Sequence, residues 1–355
     1  MTLEDSNSQK PSFKNRGIPQ RKSISLQGEN LIEQSFLDAE KKLPIVIEPA
    51  VDGVNLIAWA KNNSEFLETN LLRYGGILFR GFGIYSTDDF QAFIQASSGQ
   101  LLEYTYRSTP RKPVSGRVYT STEYPSDMSI PLHNENSYSR NWAMKLFFLC
   151  VTPAEERGET PIVDSRKMYE QIDAEIRQRF IDKKVMYVRN YGSEIDLPWQ
   201  NVFQTDNKSE VEDFCRKSDI DFEWLGGGDR LRTRQICQSV ARHPRTGEFV
   251  WFNQANLFHV SSLPREVKDA LMSNFGEENL PRNVYFGDGE RIESSVIEHI
   301  NQLYEQEAAA FPWRRGDVLM LDNMLTAHGR NPFKGQRKIV VGMAQPFNDQ
   351  ILSVD

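Results

Sequence analysis

Three residues of the sequence have the types and the spacing that a metal site needs. His133 and Glu135 are two positions apart, and His328 follows an apolar run near the other end of the chain. In an extended strand, residues i and i+2 point to the same face, so we expect the side chains of His133 and Glu135 to converge. Two histidines and one carboxylate occupy one face of an octahedral metal, which is the ligand set of oxygen-activating Fe(II) sites.

The positions that such a triad leaves open define its chemistry. Two suit a bidentate 2-oxo acid and the third admits O2, whereas a structural zinc site closes its coordination with four protein ligands. A His-x-Glu pair alone is a weak signal, because most such pairs are surface or structural residues. The strand-like runs 318–321 and 339–343 on either side of His328 strengthen the interpretation.

The sequence holds five histidines, and the other three do not extend this constellation. We interpret them as structural or surface residues. They are His243 in a predicted hairpin, His259 beside Phe258 near the core, and His299 in a predicted helix.

Composition narrows the class of protein. With 355 residues, of which 39% are hydrophobic, the chain can bury a large core, and its net charge of −7 argues against a general attraction to nucleic acid or to anionic membranes. No apolar stretch is long enough to span a bilayer. The three cysteines are far apart in the sequence and odd in number, so no disulfide framework is predicted. This use of cysteine is typical of a protein in a reducing cytoplasm. Cys150 lies within an apolar run and is expected to be buried.

Many short strands, interrupted by helices, must position the triad. The strand-like runs are 117–121, 145–151, 185–191, 235–241, 249–253, 318–321 and 337–344. Such a pattern is typical of an antiparallel sandwich or jelly roll. Helices are predicted at 54–72, after the caps Ser86 and Asp164, at 264–275 and at 293–310.

The chain organisation predicts one domain. Residues 1–28 are polar and lack an apolar core segment, which indicates a poorly ordered arm and no secretory signal. Residues 29–355 show no repeat or linker and are interpreted as a single oxygenase domain. Within it, the polar and weakly periodic stretch 193–233 is too long for a plain connection, so we expect a lid or insertion there.

From about residue 43 onward, the chain resembles the taurine dioxygenase and clavaminate synthase-like family of Fe(II)/2-oxoglutarate oxygenases, and within it the syringomycin-type aspartyl hydroxylases. The stretches that carry the resemblance are 119–125, 131–135, 158–166, 251–255, 285–289, 315–317 and 327–333. The resemblance implies a mainly β fold with helical additions around a double-stranded β-helix, or jelly-roll, core. It also implies Fe(II) as the metal, with 2-oxoglutarate and O2 as cosubstrates.

The resemblance further implies that Thr160 and an arginine after the distal histidine bind the carboxylates of 2-oxoglutarate. A guanidinium fork suits a carboxylate better than the point charge of a lysine. Arg337 is our choice for this arginine, with Arg330 and Lys338 as competitors; Arg330 is expected to support the adjoining loop instead. Related halogenases lack the metal-binding carboxylate, so the presence of Glu135 favours hydroxylation or another oxidation over halogenation.

The resemblance implies an amino acid substrate, free or tethered to a carrier protein, that is hydroxylated at an unactivated C–H bond in specialised metabolism. A small carboxylate, sulfonate or betaine is the alternative within the same chemistry. A non-catalytic binding protein and a zinc hydrolase are less favoured classes. Polar character and proximity to the motifs suggest a set of substrate-binding candidates. These are Tyr119, Ser121, Asn136, Ser137, Asn253 and Arg330.

Overall fold

A computed structural model describes residues 31–103, 113–121, 124–192 and 197–349. The predicted arm, 1–28, lies outside these ranges. The strands are β1 (Ile32–Phe36), β2 (Ile45–Pro49), β3 (Gly76–Phe79), β4 (Pro113–Ser115), β5 (Val118–Thr120), β6 (Ile130–His133), β7 (Asn141–Thr152), β8 (Glu156–Arg157), β9 (Ile162–Asp164), β10 (Val185–Tyr191), β11 (Asp221–Leu225), β12 (Arg230–Cys237), β13 (Val240–Arg242), β14 (Phe249–Trp251), β15 (Arg282–Phe286), β16 (Val318–Asp322), β17 (Thr326–Arg330), β18 (Phe333–Lys334) and β19 (Lys338–Asn348). The α-helices are α1 (Leu56–Asn62), α2 (Ser64–Tyr74), α3 (Thr87–Ser98), α4 (Ser165–Gln171), α5 (Ala174–Lys183), α6 (Trp199–Phe203), α7 (Lys208–Lys217), α8 (Ala255–Phe258), α9 (Arg265–Phe275) and α10 (Ser294–Glu307).

The largest sheet has eight strands in the order β1-β2-β3-β16-β7-β19-β5-β4. Its centre is β7, which pairs antiparallel with both β16 and β19. Residues 142–150 of β7 are all buried, as expected of a strand that is covered on both faces. Residues of α1, α2 and α3 form one apolar cluster with strands of this sheet, and a second cluster contains Phe148, Ile339 and Val341.

A three-stranded sheet, β6-β17-β9, carries two of the three predicted metal ligands. His328 on β17 is in register with His133 on β6 and with Ile162 on β9. The ring of Phe148, from β7 of the large sheet, lies 5.1 Å from the ring of His328. The large and small sheets therefore meet at the predicted metal site.

A third sheet, β11-β12-β10-β15, includes part of the stretch predicted as a lid or insertion. Within residues 197–233, Val202, Val211, Cys215 and Leu231 are fully buried in the apolar cluster that also contains β10 residues. The described part of this stretch therefore packs into a core, and residues 193–196 lie outside the description. Its role as a lid stays a prediction.

Polar caps divide two of the predicted helices. The helix predicted at 54–72 is interrupted at Asn63, whose backbone is not helical and whose side-chain Nδ2 donates to the carbonyl of Trp59. The helix predicted after Asp164 is interrupted at Asp173, whose carboxylate accepts the amides of Glu175 and Ile176 and starts α5. An Asn or Asp side chain that satisfies backbone groups outside a helix favours such a break.

Other local predictions are confirmed. Ser86 accepts the amide of Asp89 at the start of α3, and Asp164 accepts the amide of Arg166 at the start of α4. Cys150 is fully buried, and burial raises the pKa of its thiol to about 12. None of the helices in the described part of the chain combines the length and the apolar composition that a membrane span requires.

Candidate active site

The three predicted metal ligands come together in the fold. Each of His133, Glu135 and His328 offers a ligand atom, and these atoms lie within 4.8 Å of one another. The rings of the two histidines have centroids 4.5 Å apart. Glu135 and His328 are buried, and His133 is half-buried at the cavity wall. Two imidazole nitrogens and a carboxylate oxygen in this arrangement form a ligand set that fits Fe(II).

Strand pairing places the two histidines. They face each other across the β6–β17 ladder, so their Cα atoms are fixed by backbone hydrogen bonds. Nδ1 of His133 lies 2.8 Å from the carbonyl oxygen of Pro131, a contact that orients the ring. A partner on one ring nitrogen selects the tautomer that presents the other nitrogen to a metal.

Glu135 does not lie on the strand, and on this point the prediction was wrong. Strand β6 ends at His133, and Glu135 lies in the turn that follows, where Asn136 has a φ of 58°. The side chain of Asn323 accepts a hydrogen bond from the backbone amide of Glu135 and donates one to the backbone carbonyl of Glu135. Sequence reasoning missed Asn323; the Asp-Asn pair that follows the buried run 318–321 is the signal that could have identified it.

A cavity adjoins the metal cluster and contains the predicted 2-oxoglutarate residues. Its wall is apolar on the side of the large sheet and polar around Thr160 and Arg337. The lining residues are Ser121, Ile130, His133, Phe148, Thr160, His328, Gly329, Arg330, Arg337, Ile339 and Val341. The structure thus brings both predicted cosubstrate residues into the space that two of the metal ligands line.

Arg337 is fixed at the cavity by its neighbours. Its Nε donates to the carbonyl of Gly158 at 2.8 Å, and its Nη2 lies 3.4 Å from Oγ1 of Thr160. Burial, together with repulsion from Arg330, lowers the pKa of Arg337 to about 10, so the side chain is a cation at neutral pH. Trp313 donates its indole N–H to the same Thr160 oxygen at 3.1 Å. A bound carboxylate would offset the cost of burying the Arg337 cation.

The two competitors of Arg337 have different surroundings. Lys338 is exposed and is not among the residues that line the cavity. Arg330 lines the cavity, but its guanidinium donates to the carbonyls of Tyr124, Pro125 and Met128, which precede β6. Burial lowers the pKa of Arg330. Arg330 therefore ties the segment before β6 to β17.

The substrate-binding candidates divide into two groups. Ser121 and Arg330 line the cavity. The other four are not among its lining residues. Tyr119 is buried in an apolar cluster, and Asn136 is half-buried in the turn that contains Glu135. The hydroxyl of Ser137 donates to the carbonyl of Asn134. The side-chain amide of Asn253 donates to the carbonyl of Ser239 and accepts the backbone amide of Ala255.

The remaining histidines lie outside the cluster, as expected. His243 is fully buried in the β13–β14 hairpin, and its Nε2 lies 3.1 Å from Oδ2 of Asp322. His259 is buried, with Nε2 at 3.0 Å from the carbonyl oxygen of Ile292. His299 is half-buried in α10.

Comparison with known proteins identifies the family. The model of the "Taurine catabolism dioxygenase TauD, TfdA family" matches residues 39–343. The chain is 41% identical to the dapdiamide synthesis protein DdaC of Enterobacter agglomerans over 272 residues, which are 77% of this chain and 82% of that protein. It is 30% identical to a clavaminate synthase-like protein of Arabidopsis thaliana over 335 residues, which are 89% of this chain and 98% of that protein.

Solved structures share the fold at low sequence identity. PvcB from Pseudomonas aeruginosa superposes with a TM-score of 0.53 at 14% identity, covering 90% of this chain and 92% of that one. A second PvcB structure, described as an Fe, alpha-ketoglutarate dependent oxygenase from an isonitrile synthetic pathway, gives 0.54 at 14% identity and covers 92% and 96%. The chain belongs to the TauD/TfdA family and is an Fe(II)- and 2-oxoglutarate-dependent dioxygenase.

Proposed function

We propose that this dioxygenase hydroxylates an unactivated C–H bond of an amino acid, free or tethered to a carrier protein, in specialised metabolism. His133, Glu135 and His328 would hold Fe(II), and Arg337 with Thr160 would bind the far carboxylate of 2-oxoglutarate. One observation carries the proposal of the site. The half-buried cation of Arg337 lines the same cavity as two ligands of a three-residue metal cluster.

The donor set favours this metal and this cosubstrate. Imidazole nitrogen and carboxylate oxygen suit a non-haem Fe(II) ion, and three protein ligands leave room for a bidentate 2-oxo acid and O2. In the described ranges, His133, Glu135 and His328 are the one group of three such side chains close enough to share an ion. A structural zinc site would need a fourth protein ligand.

We also propose that the fold is the double-stranded β-helix. Strands β7 and β19 of the large sheet contribute Phe148, Ile339 and Val341 to the cavity, and β17 of the small sheet contributes His328. Two sheets that enclose a ligand cavity between them are what a jelly roll provides.

The protein groups position and shield the reactants. When bound, Fe(II) and 2-oxoglutarate supply the chemistry that consumes O2, releases succinate and CO2 and oxidises the C–H bond. Arg337 holds the far end of the cosubstrate by charge-assisted hydrogen bonds, and Thr160 offers a hydroxyl beside it. Phe148, Ile339 and Val341 exclude water from the cavity wall, which limits side reactions.

The comparisons support the biosynthetic part of the proposal. The relative that is 41% identical is named for dapdiamide synthesis, and a structural neighbour comes from an isonitrile synthetic pathway. The resemblance to aspartyl hydroxylases favours an amino acid over a sulfonate or betaine. Because substrate choice depends on loops more than on the fold, it must be measured.

A mass-spectrometric screen tests the substrate. The enzyme with Fe(II), 2-oxoglutarate and O2 is offered the same set of amino acids in free form and loaded on a carrier protein, and in parallel a set of sulfonates and betaines. The proposal predicts one added oxygen atom on one amino acid, with an equal amount of succinate. Oxidation of a sulfonate or betaine but of no amino acid would contradict the proposed substrate class and leave the enzyme class intact.

A further inference from the structure

Glu135 is held in a different way from the two histidines. Pairing between β6 and β17 fixes His133 and His328, whereas Glu135 lies in a turn outside any strand. The next residue, Asn136, has a left-handed backbone with a φ of 58°, a conformation that is uncommon for residues other than glycine and asparagine. The position of the carboxylate therefore depends on whatever fixes this turn.

The side chain of Asn323 makes the contacts that fix it. Oδ1 of Asn323 accepts the amide of Glu135 at 2.7 Å, and its Nδ2 donates to the carbonyl of Glu135 at 2.9 Å. The second N–H of Nδ2 donates to the carbonyl of Ala143, on β7, also at 2.9 Å. Asn323 is fully buried, so water does not compete for these bonds.

The backbone of Asn323 is fixed as firmly as its side chain. Its amide donates to Met144 of β7 at 2.8 Å, and its carbonyl accepts Nδ2 of Asn134 at 2.6 Å. The preceding residue, Asp322, ends β16, and its Oδ1 accepts the amides of Met324 and Leu325, which lead into β17. The turn that holds Glu135 is thus bonded to the turn that precedes the strand of His328.

We propose that Asn323 is a positioning residue for the metal site, which sets the Glu135 carboxylate against the two histidines before any metal binds. Only an amide of this length satisfies the site. Asp at position 323 would turn a carboxylate oxygen toward two carbonyl oxygens, and Leu would leave one N–H and two carbonyls buried without partners. The inference rests on the proposed ligand set.

The test compares two isosteric variants, Asn323→Asp and Asn190→Asp. Asn190 is the control, because it is also buried and its Nδ2 donates to two carbonyls, those of Glu278 and Leu280, while its Oδ1 accepts from Nε of Arg232 and not from a backbone amide. Apoprotein is titrated with Mn(II) alone, and free Mn(II) is counted by electron paramagnetic resonance. Supporting groups around metal ligands typically contribute about 10- to 100-fold in metal affinity.

We expect Asn323→Asp to weaken Mn(II) binding by about 10-fold or more, and Asn190→Asp to leave it within about twofold of the wild type. Wild-type Mn(II) affinity in folded Asn323→Asp would overturn the role of Asn323. The variant His133→Ala tests the ligand set separately from the role of Asn323, and we expect it to lose Mn(II) affinity. If His133→Ala binds Mn(II) as tightly as the wild type does, the proposed ligand set is wrong.

Hydrogen exchange of the wild-type protein keeps the inference testable if Asn323→Asp does not fold. A turn fixed by Asn323 predicts that the amide of Glu135 exchanges slowly in the apoprotein and changes less than about threefold when Mn(II) is added. Fast exchange in the apoprotein that slows only with Mn(II) would show that the metal, and not Asn323, orders the turn.

Discussion

Nε2 of His328 lies 3.8 Å from Oε2 of Glu135, and both side chains are buried. This separation is too long for a hydrogen bond. Two ligand atoms on one face of an octahedral metal ion, each about 2.1 Å from it, lie about 3 Å apart, so a small movement of the two side chains would bring both onto one ion. The third candidate ligand, His133, has a ligand atom within 4.8 Å of the other two, so the three side chains are close enough to bind one ion together.

Replacement of Arg337 is expected to weaken 2-oxoglutarate binding. Arg337→Ala removes a half-buried charged donor from the cavity, and hydrogen bonds to charged groups contribute about 1.5–3 kcal/mol. The KM for 2-oxoglutarate should rise about 10- to 100-fold, as measured by succinate formation at saturating substrate. Arg337→Lys keeps the positive charge but loses the paired N–H donors of the guanidinium. We therefore expect its KM for 2-oxoglutarate to lie between those of the wild type and Arg337→Ala.

The control for this experiment is Lys338→Ala. Lys338 is adjacent in sequence but exposed, so its removal should leave the KM for 2-oxoglutarate unchanged. A KM that rises in Lys338→Ala and not in Arg337→Ala would assign the cosubstrate carboxylate to the lysine.

Replacement of Arg330 is expected to act on stability first. Arg330→Met leaves the carbonyls of Tyr124, Pro125 and Met128 without their donor, which should lower the free energy of unfolding by about 2 kcal/mol or more. Urea denaturation measures this, with the exposed Arg315→Met as a control that should change stability by less than about 0.5 kcal/mol. If Arg330→Met keeps full stability but raises the KM for 2-oxoglutarate as much as Arg337→Ala does, Arg330 is the cosubstrate arginine.

The buried ion pair of Arg80 and Asp317 should stabilise the start of β16, the strand that pairs with β7 and directly follows Asp317. Nε and Nη2 of Arg80 donate to the two carboxylate oxygens of Asp317 at 3.1 and 2.7 Å. Asp317→Ala leaves a buried cation without its partner, which typically costs about 3–5 kcal/mol in the free energy of unfolding. Glu103→Ala, which breaks an exposed pair with Arg117, should cost less than about 1 kcal/mol. Equal effects in both variants would show that burial does not strengthen the first pair.

Signals that are local in sequence predicted much of the fold. Strand β10 has the predicted bounds, Val185–Tyr191, and the caps at Ser86 and Asp164 form as expected. Each of these depends on a few neighbouring residues, through side-chain alternation or through one side chain that binds a nearby amide. The grouping of His133 with His328 was predicted from their residue types, from the strand-like runs around His328 and from the family resemblance, since a His-x-Glu pair alone is a weak signal.

Contacts between distant segments could not be predicted in this way. Glu135 lies in a turn after β6, and its backbone is bonded to Asn323, which comes from a separate part of the chain. Likewise, the packing of residues 197–233 against β10 depends on a sheet whose strands are far apart in sequence. A polar, weakly periodic stretch carries no local sign of such a partner, so its burial becomes visible only in the folded chain.

An anaerobic titration of the apoprotein with Fe(II) and 2-oxoglutarate tests the proposed site most directly. The His133, Glu135 and His328 site predicts the weak visible charge-transfer band of the Fe(II)–2-oxoglutarate chelate in the wild type and in the control His299→Ala, and its loss in His133→Ala. A wild-type protein that binds Fe(II) without developing the band, or a His133→Ala protein that retains it, would contradict the proposal.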